Sequence, residues 1–293
     1  MRARDRFQPD PLEAAQQRQR PRLPFYVGNI PAGSVAHEHL PGLRQYAPWL
    51  AVTDWAVTLD LPEHRRDEAL HELHQRLRNE GVLEGWRDEL FPLWDANSGS
   101  VLARIERCAA RFWGSLTRGA HANGYVADEQ GRPLQLWVAR RSPHKSTDPN
   151  RLDNLVGGGI PYGQTPREAL VREAWEEAGL QPQQVSAATV HGILELHRDI
   201  PQGCQWEWLY VFDLPLSAQV QPQNQDGEVA EFFTVGADEA LDLALSGEMT
   251  EDAALVSVDF ALRHHWVPDH LRRDISARLA RLVRTPACTP LRA

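Results

Sequence analysis

Residues 157–180 read GGGIPYGQTPREALVREAWEEAGL, and the reading of this stretch decides how the rest of the chain is understood. Its second half is a helix signalled by local chemistry alone. Thr165 stands at the N-cap, Pro166 at the first helical position and Glu168 three residues after the cap, the pattern of a capping box, while Gly179 supplies the stop. Within that helix Glu173, Glu176 and Glu177 fall at i, i+3 and i+4 and crowd one face, beside an apolar stripe of Leu170, Ala174 and Ala178. Like charges at these spacings repel. A hard divalent cation relieves that repulsion, and Mg²⁺ in particular takes one or two protein carboxylates and completes its shell with water and substrate phosphate. An acidic helix face taken alone is usually just solvated. Here the glycines at 157, 158, 159 and 163 precede it and let backbone approach a ligand closely. Glycine loop and carboxylate helix together suit a metal-bound diphosphate.

Around this segment the texture is that of strands and turns. GYVAD, the turn at 129–132 and LQLWVARR (134–141) read as a β-hairpin, and QWEWLYVFDL (205–214) reads as a central strand buried on both faces. Further helices are expected at about 237–246, 250–264 and 268–284. Before residue 113 the pattern is mostly helical, with PEHRRDEALHELHQRLRNEG opened by Pro62 and stopped at Gly81, a second helix over 100–113, and strand-like alternation at 55–60. The division expected is a poorly ordered tail over 1–24, an accessory domain over 25–118 and a second domain over 119–293.

Composition narrows the field. The 293 residues are 42% hydrophobic and 24% charged, ordinary globular usage, with 31 basic and 40 acidic residues giving −9. Both ends are arginine-rich, so residues 25–270 hold 19 basic and 36 acidic groups, which argues against bulk nucleic-acid binding. Lys145 is the only lysine. Cys108, Cys204 and Cys288 lack disulfide or zinc spacing, and there is neither a signal-peptide apolar segment nor an 18-residue uncharged apolar run, so a reduced cytoplasmic location without a membrane span is expected.

The decisive stretch resembles the Nudix box: a glycine, five residues, a glutamate, seven residues, then R-E-U-x-E-E-x-G-U with U apolar. Gly158, Arg172-Glu173, Ala174, Glu176-Glu177, Gly179 and Leu180 fall on those positions. One position departs, since Gln164 stands where the pattern has glutamate, and an amide is neither a carboxylate ligand nor a base. The resemblance implies an α+β fold, a Nudix α/β/α sandwich with a mixed sheet, preceded by a smaller α/β accessory domain that shapes the pocket. It implies Glu173, Glu176 and Glu177 as ligands of Mg²⁺ or Mn²⁺, with Arg172 orienting one of them. GAHANGYV (119–126), the segment 136–163, DGEVAEF (226–232) and VDFALRHH (258–265) further resemble the thiamin-pyrophosphokinase-related Nudix branch, whose N-terminal domain is of unknown function. That resemblance implies hydrolysis of thiamin diphosphate, or of its oxidised and antivitamin analogues, to the monophosphate and phosphate. ADP-ribose, a sugar nucleotide or a dinucleotide stays open as substrate, and Gln164 leaves open a non-catalytic binding module.

Other residues gain candidate roles from this frame. Lys145 and Arg141, just upstream of the glycines, suit a terminal phosphate. Gly158, Gly159 and Gln164 are candidate substrate contacts, Glu177, Glu228 and Glu231 are candidate bases for the attacking water, and Arg172 belongs with the catalytic set. His121 and Asn123 read as satisfied turn residues, Trp137, Trp206 and Trp208 as core, and His264 and His265 as the end of a helix. The partner expected is a small-molecule diphosphate, neither nucleic acid nor membrane, and the oligomeric state stays open, a homodimer included.

Overall fold

The computed structural model describes residues 10–46 and 49–285. A first helical turn, α1 (Pro11–Ala14), is capped by the Asp10 side chain. It is followed by β1 (Arg22–Val27), β2 (Ile30–Ala36), the short α2 (Leu40–Leu43), β3 (Leu50–Val52) and β4 (Val57–Leu59). These strands form a sheet in the order β2–β1–β4–β3, with β1 and β4 parallel. The helix α3 (Glu63–Asn79) buries Leu70, Leu73 and Leu77 on one face, as their spacing predicts. Each leucine so buried contributes roughly 1.5–3 kcal/mol. A hairpin of β5 (Leu90–Trp94) and β6 (Val101–Glu106) and the turn α4 (Ala109–Phe112) complete this part.

Three expectations need correction here. Residues 10–24 are no loose tail: Leu12 and Ala15 are buried in the core with residues of the helix Glu251–Arg263 in the second domain, and the amides of His197 and Asp199 donate to the carbonyls of Ala15 and Gln17. The N-terminal part carries six strands where a mostly helical pattern was read, and 101–106 is β6 where a helix over 100–113 was read. Its apolar residues fit either period, and cross-strand pairing with β5 selects the strand. Of the tail, residues 1–9 lie outside the described residues, as does Cys288.

The second part holds β7 (Leu116–Ala127), β8 (Pro133–Arg141), β9 (Leu152–Asn154), β10 (Val156–Gly159), α5 (Pro166–Ala178), α6 (Pro182–Val185), β11 (Thr189–Ile200), β12 (Gly203–Leu216), β13 (Val229–Val235), α7 (Ala237–Ser246), α8 (Glu251–Arg263), α9 (Asp269–Leu279) and β14 (Val283–Arg284). The mixed sheet runs β13–β8–β7–β12–β11–β14, and β12 is central, parallel to β7 and antiparallel to β11. Alternation along β12 sends Leu209 and Val211 into the core with α8, and Tyr210 and Phe212 into the core with α5. The result is an α+β sandwich with helices on both faces. Strand β7 is flanked by β10 along its first half and by β8 along its second, which sets the glycine strand beside His121. The helix expected to reach 284 stops at Leu279, and residues 283–284 pair instead with the edge of β11.

A buried histidine gives the N-terminal part a measurable property. His74 is fully buried, accepts at Nε2 from Trp113 Nε1 at 2.8 Å, and is pushed by burial from 6.5 down to about 3. Between those values the unfolded chain takes up a proton that the folded chain refuses, so stability falls as pH falls through this window, by at most about 1.4 kcal/mol per unit. The urea midpoint is expected to be lower at pH 5 than at pH 7, and His74→Gln, which keeps an acceptor for Trp113, should flatten the slope. A residual slope is expected from His197, which burial pushes to about 4. An unchanged slope in the variant refutes the assignment.

Candidate functional site

The site begins with the capping that fixes α5. The Thr165 hydroxyl accepts from Glu168 N, the Glu168 carboxylate accepts from Thr165 N at 2.8 Å, and Gly179 ends the helix at φ 66°. So placed, α5 lays Glu173 and Glu177 against β10. A Cβ on Gly158 would lie 2.1 Å from the Glu173 carboxyl group, so only glycine leaves room for that carboxylate. The Gly157 amide donates to Glu177 Oε2 at 2.9 Å.

Arg172 is the hub of this arrangement. It donates to Glu173 Oε1 and Glu176 Oε2, each at 2.8 Å, and to the Gly159 carbonyl and Gln164 Oε1, each at 3.3 Å. Gln164 therefore orients the arginine and stands outside the cavity lining. Burial raises the pKa of Glu173 despite Arg172 and Arg107, and burial with repulsion from Glu173 and Asp153 raises that of Glu177 well above the ordinary carboxylate range. These carboxylates are short of positive charge.

They open on a cavity of about 660 Å³ whose lining carries seven arginine and lysine side chains against ten carboxylates. Gly158, Gly159, Arg141, Lys145 and Glu228 all border it, as do Arg172 and the glutamates at 173, 176 and 177. Lys145 Nζ donates to Glu228 Oε2, and Arg87 donates to Glu228 Oε1 at 3.2 Å. Burial opposes ionisation of Glu228, yet these two cations prevail and hold its pKa below the ordinary value. Arg141 is already engaged, donating to Asp153 Oδ2 at 2.8 Å and to the carbonyls of Thr147 and Asp148.

The structure does not bring every expected residue to the cavity. Glu231 lies exposed on β13 outside the lining, paired with Arg140 at 2.5 Å, just past an irregularity in the pairing of β13 with β8 between Val229 and Glu231. His121 and Asn123 are buried in mid-strand rather than in a turn: His121 borders the cavity, while Asn123 donates to the Val256 carbonyl at 3.1 Å. Trp137 is core, and Trp206 borders the cavity with its ring stacked on His197. His264 ends its helix bonded to Asp213 at 2.9 Å. The cavity also contains residues that the linear reading passed over, notably Asp153, Glu207, Asp252 and the N-terminal arginines at 87, 107 and 111. Glu207 left a trace, as one of two charges, with Asp213, in the largely aromatic and branched run of β12; the arginines left none.

Comparison with known proteins bears on this geometry. Residues 117–255 match the NUDIX domain, and residues 7–117 match a domain of unknown function, DUF4743. The chain carries a Nudix domain behind a DUF4743 domain. Among its relatives are Nudix hydrolase 24, chloroplastic, of Arabidopsis thaliana, 36% identical over 210 residues that make up 71% of this chain and 56% of that protein. Nudix hydrolase 20, chloroplastic, of the same plant is 36% identical over 220 residues, 73% of this chain and 58% of that protein. The chain thus spans under two thirds of the length of these relatives. A crystal structure of DR0079 from Deinococcus radiodurans is 29% identical, with a TM-score of 0.43, covering 57% of this chain and 97% of that one. Among the described residues no helix is long and apolar enough to cross a membrane.

The Nudix glycine offers a direct test. Gly158→Ala must displace the Glu173 carboxyl, so the variant should remain folded, with a melting temperature within a few degrees of the parent, while the cation-dependent hydrolysis proposed below falls roughly 100-fold or more. Full activity in a folded Gly158→Ala protein contradicts the packing described.

Proposed function

We propose that the chain hydrolyses a small-molecule diphosphate with a divalent cation, Mg²⁺ or Mn²⁺, giving a monophosphate and phosphate. The observation that carries this reading is the pair of buried carboxylates, Glu173 and Glu177, held against a glycine strand at a cavity lined by both signs of charge. All-oxygen donors suit a hard cation, and the raised pKa values of both acids express a deficit of positive charge that such a cation removes. Glu173, Glu176 and Glu177 would hold it. Among the described residues no three acidic, imidazole or thiol side chains already converge as ligands, and Glu176 must leave Arg172 before all three act together.

Held there, a divalent cation would offset the charge of the diphosphate and lower the pKa of a water for attack on phosphorus. The chain's own residues do the rest. Arg172 fixes the direction of Glu173. Lys145 meets the terminal phosphate, and the phosphate competes with Glu228 for it. Glu228, once released, accepts the proton of the attacking water at a carboxylate oxygen; Glu231 is too distant from the cavity lining for this role. Arg141 positions the loop that carries Lys145, through the Thr147 and Asp148 carbonyls.

Within this class the reading favours thiamin diphosphate or its oxidised and antivitamin analogues, following the resemblance to the thiamin-pyrophosphokinase-related branch. Glu207 and Asp252 in the cavity wall support it, since carboxylates suit a cationic ring. The free thiols of Cys108 and Cys204 fit a reducing compartment such as the cytoplasm.

Phosphate release with Mg²⁺, compared between thiamin diphosphate, its oxidised analogue and ADP-ribose, tests the reading. Preference for ADP-ribose moves the substrate to the nucleotide class, and no release from any of the three overturns the hydrolase reading. Glu176→Gln and Glu177→Gln should each lower kcat by roughly 100-fold or more, whereas Gln164→Glu, outside the cavity, should stay within about threefold of the parent. Unchanged metal-dependent turnover in both glutamine variants removes the ligand assignment.

A further inference from the structure

The DUF4743 domain is built into the wall of the catalytic cavity. Its hairpin β5–β6 meets the Nudix domain at the glycine strand: Tyr162 N donates to the Leu90 carbonyl at 2.8 Å, and a Cβ on Gly159 would lie 2.6 Å from the Phe91 ring. Arg107 follows directly on β6. Its Nη2 lies 3.7 Å from that same Cβ position, its guanidinium sits 5.4 Å from the Phe91 ring centroid, and its charge acts on both Glu173 and Glu207. Arg87, just ahead of β5, reaches the cavity from the same domain and shares Glu228 with Lys145.

Both arginines have unused capacity. A guanidinium carries five N–H donors. Among the described residues, the Arg107 side chain donates one hydrogen bond, to Glu89 Oε2 at 2.8 Å, and the Arg87 side chain one, to Glu228 Oε1 at 3.2 Å. Their side chains keep 35% and 39% of their exposure and both border the cavity, so donors remain there that no described protein acceptor takes. Each is thus a planar fork held by a single carboxylate at one side and free at the other, the arrangement that takes a tetrahedral oxyanion in bidentate fashion. The excess of carboxylates in the lining makes such forks necessary, because a diphosphate entering it meets repulsion wherever no cation faces it.

We propose that Arg107 and Arg87 bind the phosphate groups of the substrate, so that the DUF4743 domain contributes the phosphate-gripping half of a site whose metal-binding half is the Nudix box. This deepens the diphosphate reading above and rests on it. Glu89 and Glu228 serve as counter-ions that keep the two forks in place while the cavity is empty and yield to phosphate when it fills.

The test uses the full chain and a diphosphate that is not hydrolysed, methylenediphosphonate, titrated by calorimetry in the presence of Mg²⁺. Arg107→Ala and Arg87→Ala should each weaken binding at least tenfold, and the double variant more, while Arg44→Ala, exposed in the same domain and outside the cavity lining, should bind as the parent does. Added guanidinium ion should restore part of the lost affinity of Arg107→Ala, and Arg107→Lys should recover part of it. A merely structural arginine predicts a lowered melting temperature with parental affinity, and that result overturns the proposal, as does a parent that does not bind the probe. Should Arg107→Ala fail to fold, Arg107→Lys and Arg87→Ala carry the measurement. If the parent binds the probe and the variants lose it, yet no diphosphate is hydrolysed, the phosphate grip stands and the hydrolase reading falls. If substrate is hydrolysed and the variants keep parental affinity, the reverse holds.

Discussion

A carboxylate can be buried against a strand only where that strand has no side chain to occupy the space, and the contact between Glu173 and Gly158 is such a case. Everything around the site is arranged to hold that contact. The capping box sets where α5 starts, the left-handed Gly179 sets where it stops, and the Gly157 amide holds Glu177 one turn further along. A hydrogen bond of this charge-assisted kind contributes about 1.5–3 kcal/mol, enough to bias a side chain but not to offset the burial of two acids side by side. The helix and the strand are therefore pressed together at a place that electrostatics opposes.

The opposition is partly met from within. Arg172 bridges Glu173 and Glu176, and Arg107 adds its field from the other domain. Glu177 is buried, receives no direct ion pair among the described residues and faces both Glu173 and Asp153, and burial with that repulsion drives its pKa well above the ordinary carboxylate range. A proton and a divalent cation are alternatives for relieving the same repulsion. On the proposed reading it is a cation, which the gathered oxygen donors suit although among the described residues they form no finished ligand cage. Of the chain's overall −9, the lining of this one cavity carries an excess of three carboxylates.

How much of this was legible in the sequence follows from how local each determinant is. The caps of α5, the face of α3 with Leu70, Leu73 and Leu77, the hairpin of β7 and β8 and the central β12 depend on short-range patterns, and the structure has them all. Residues 101–106 were misread because their apolar spacing serves either a helix or a strand, and the pairing with β5 that decides is invisible locally. The second half of the cavity was missed for the same reason. Arg87 and Arg107 look like any arginines in an arginine-rich chain, and only the tertiary contact of β5 with the glycine strand brings them to Glu228 and Glu173. Glu231 shows the converse: three residues from Glu228 and equally acidic, it lies on β13 outside the cavity lining.

The three consecutive glycines gather these threads, because each makes room for a different neighbour. A Cβ on Gly157 would meet the His121 ring at 2.8 Å, one on Gly158 the Glu173 carboxyl at 2.1 Å, and one on Gly159 the Phe91 ring at 2.6 Å. The Nudix pattern itself asks for a glycine only at 158. The outer two answer to the sheet on one side and to the DUF4743 domain on the other, so the strand β10 works as a three-sided seam with β7, α5 and the hairpin β5–β6 closed on it at once. A domain packed this tightly on the glycine strand cannot move without moving the backbone against which Glu173 is held. The N-terminal domain is on this account part of the cavity's construction, whatever further role its own sheet serves.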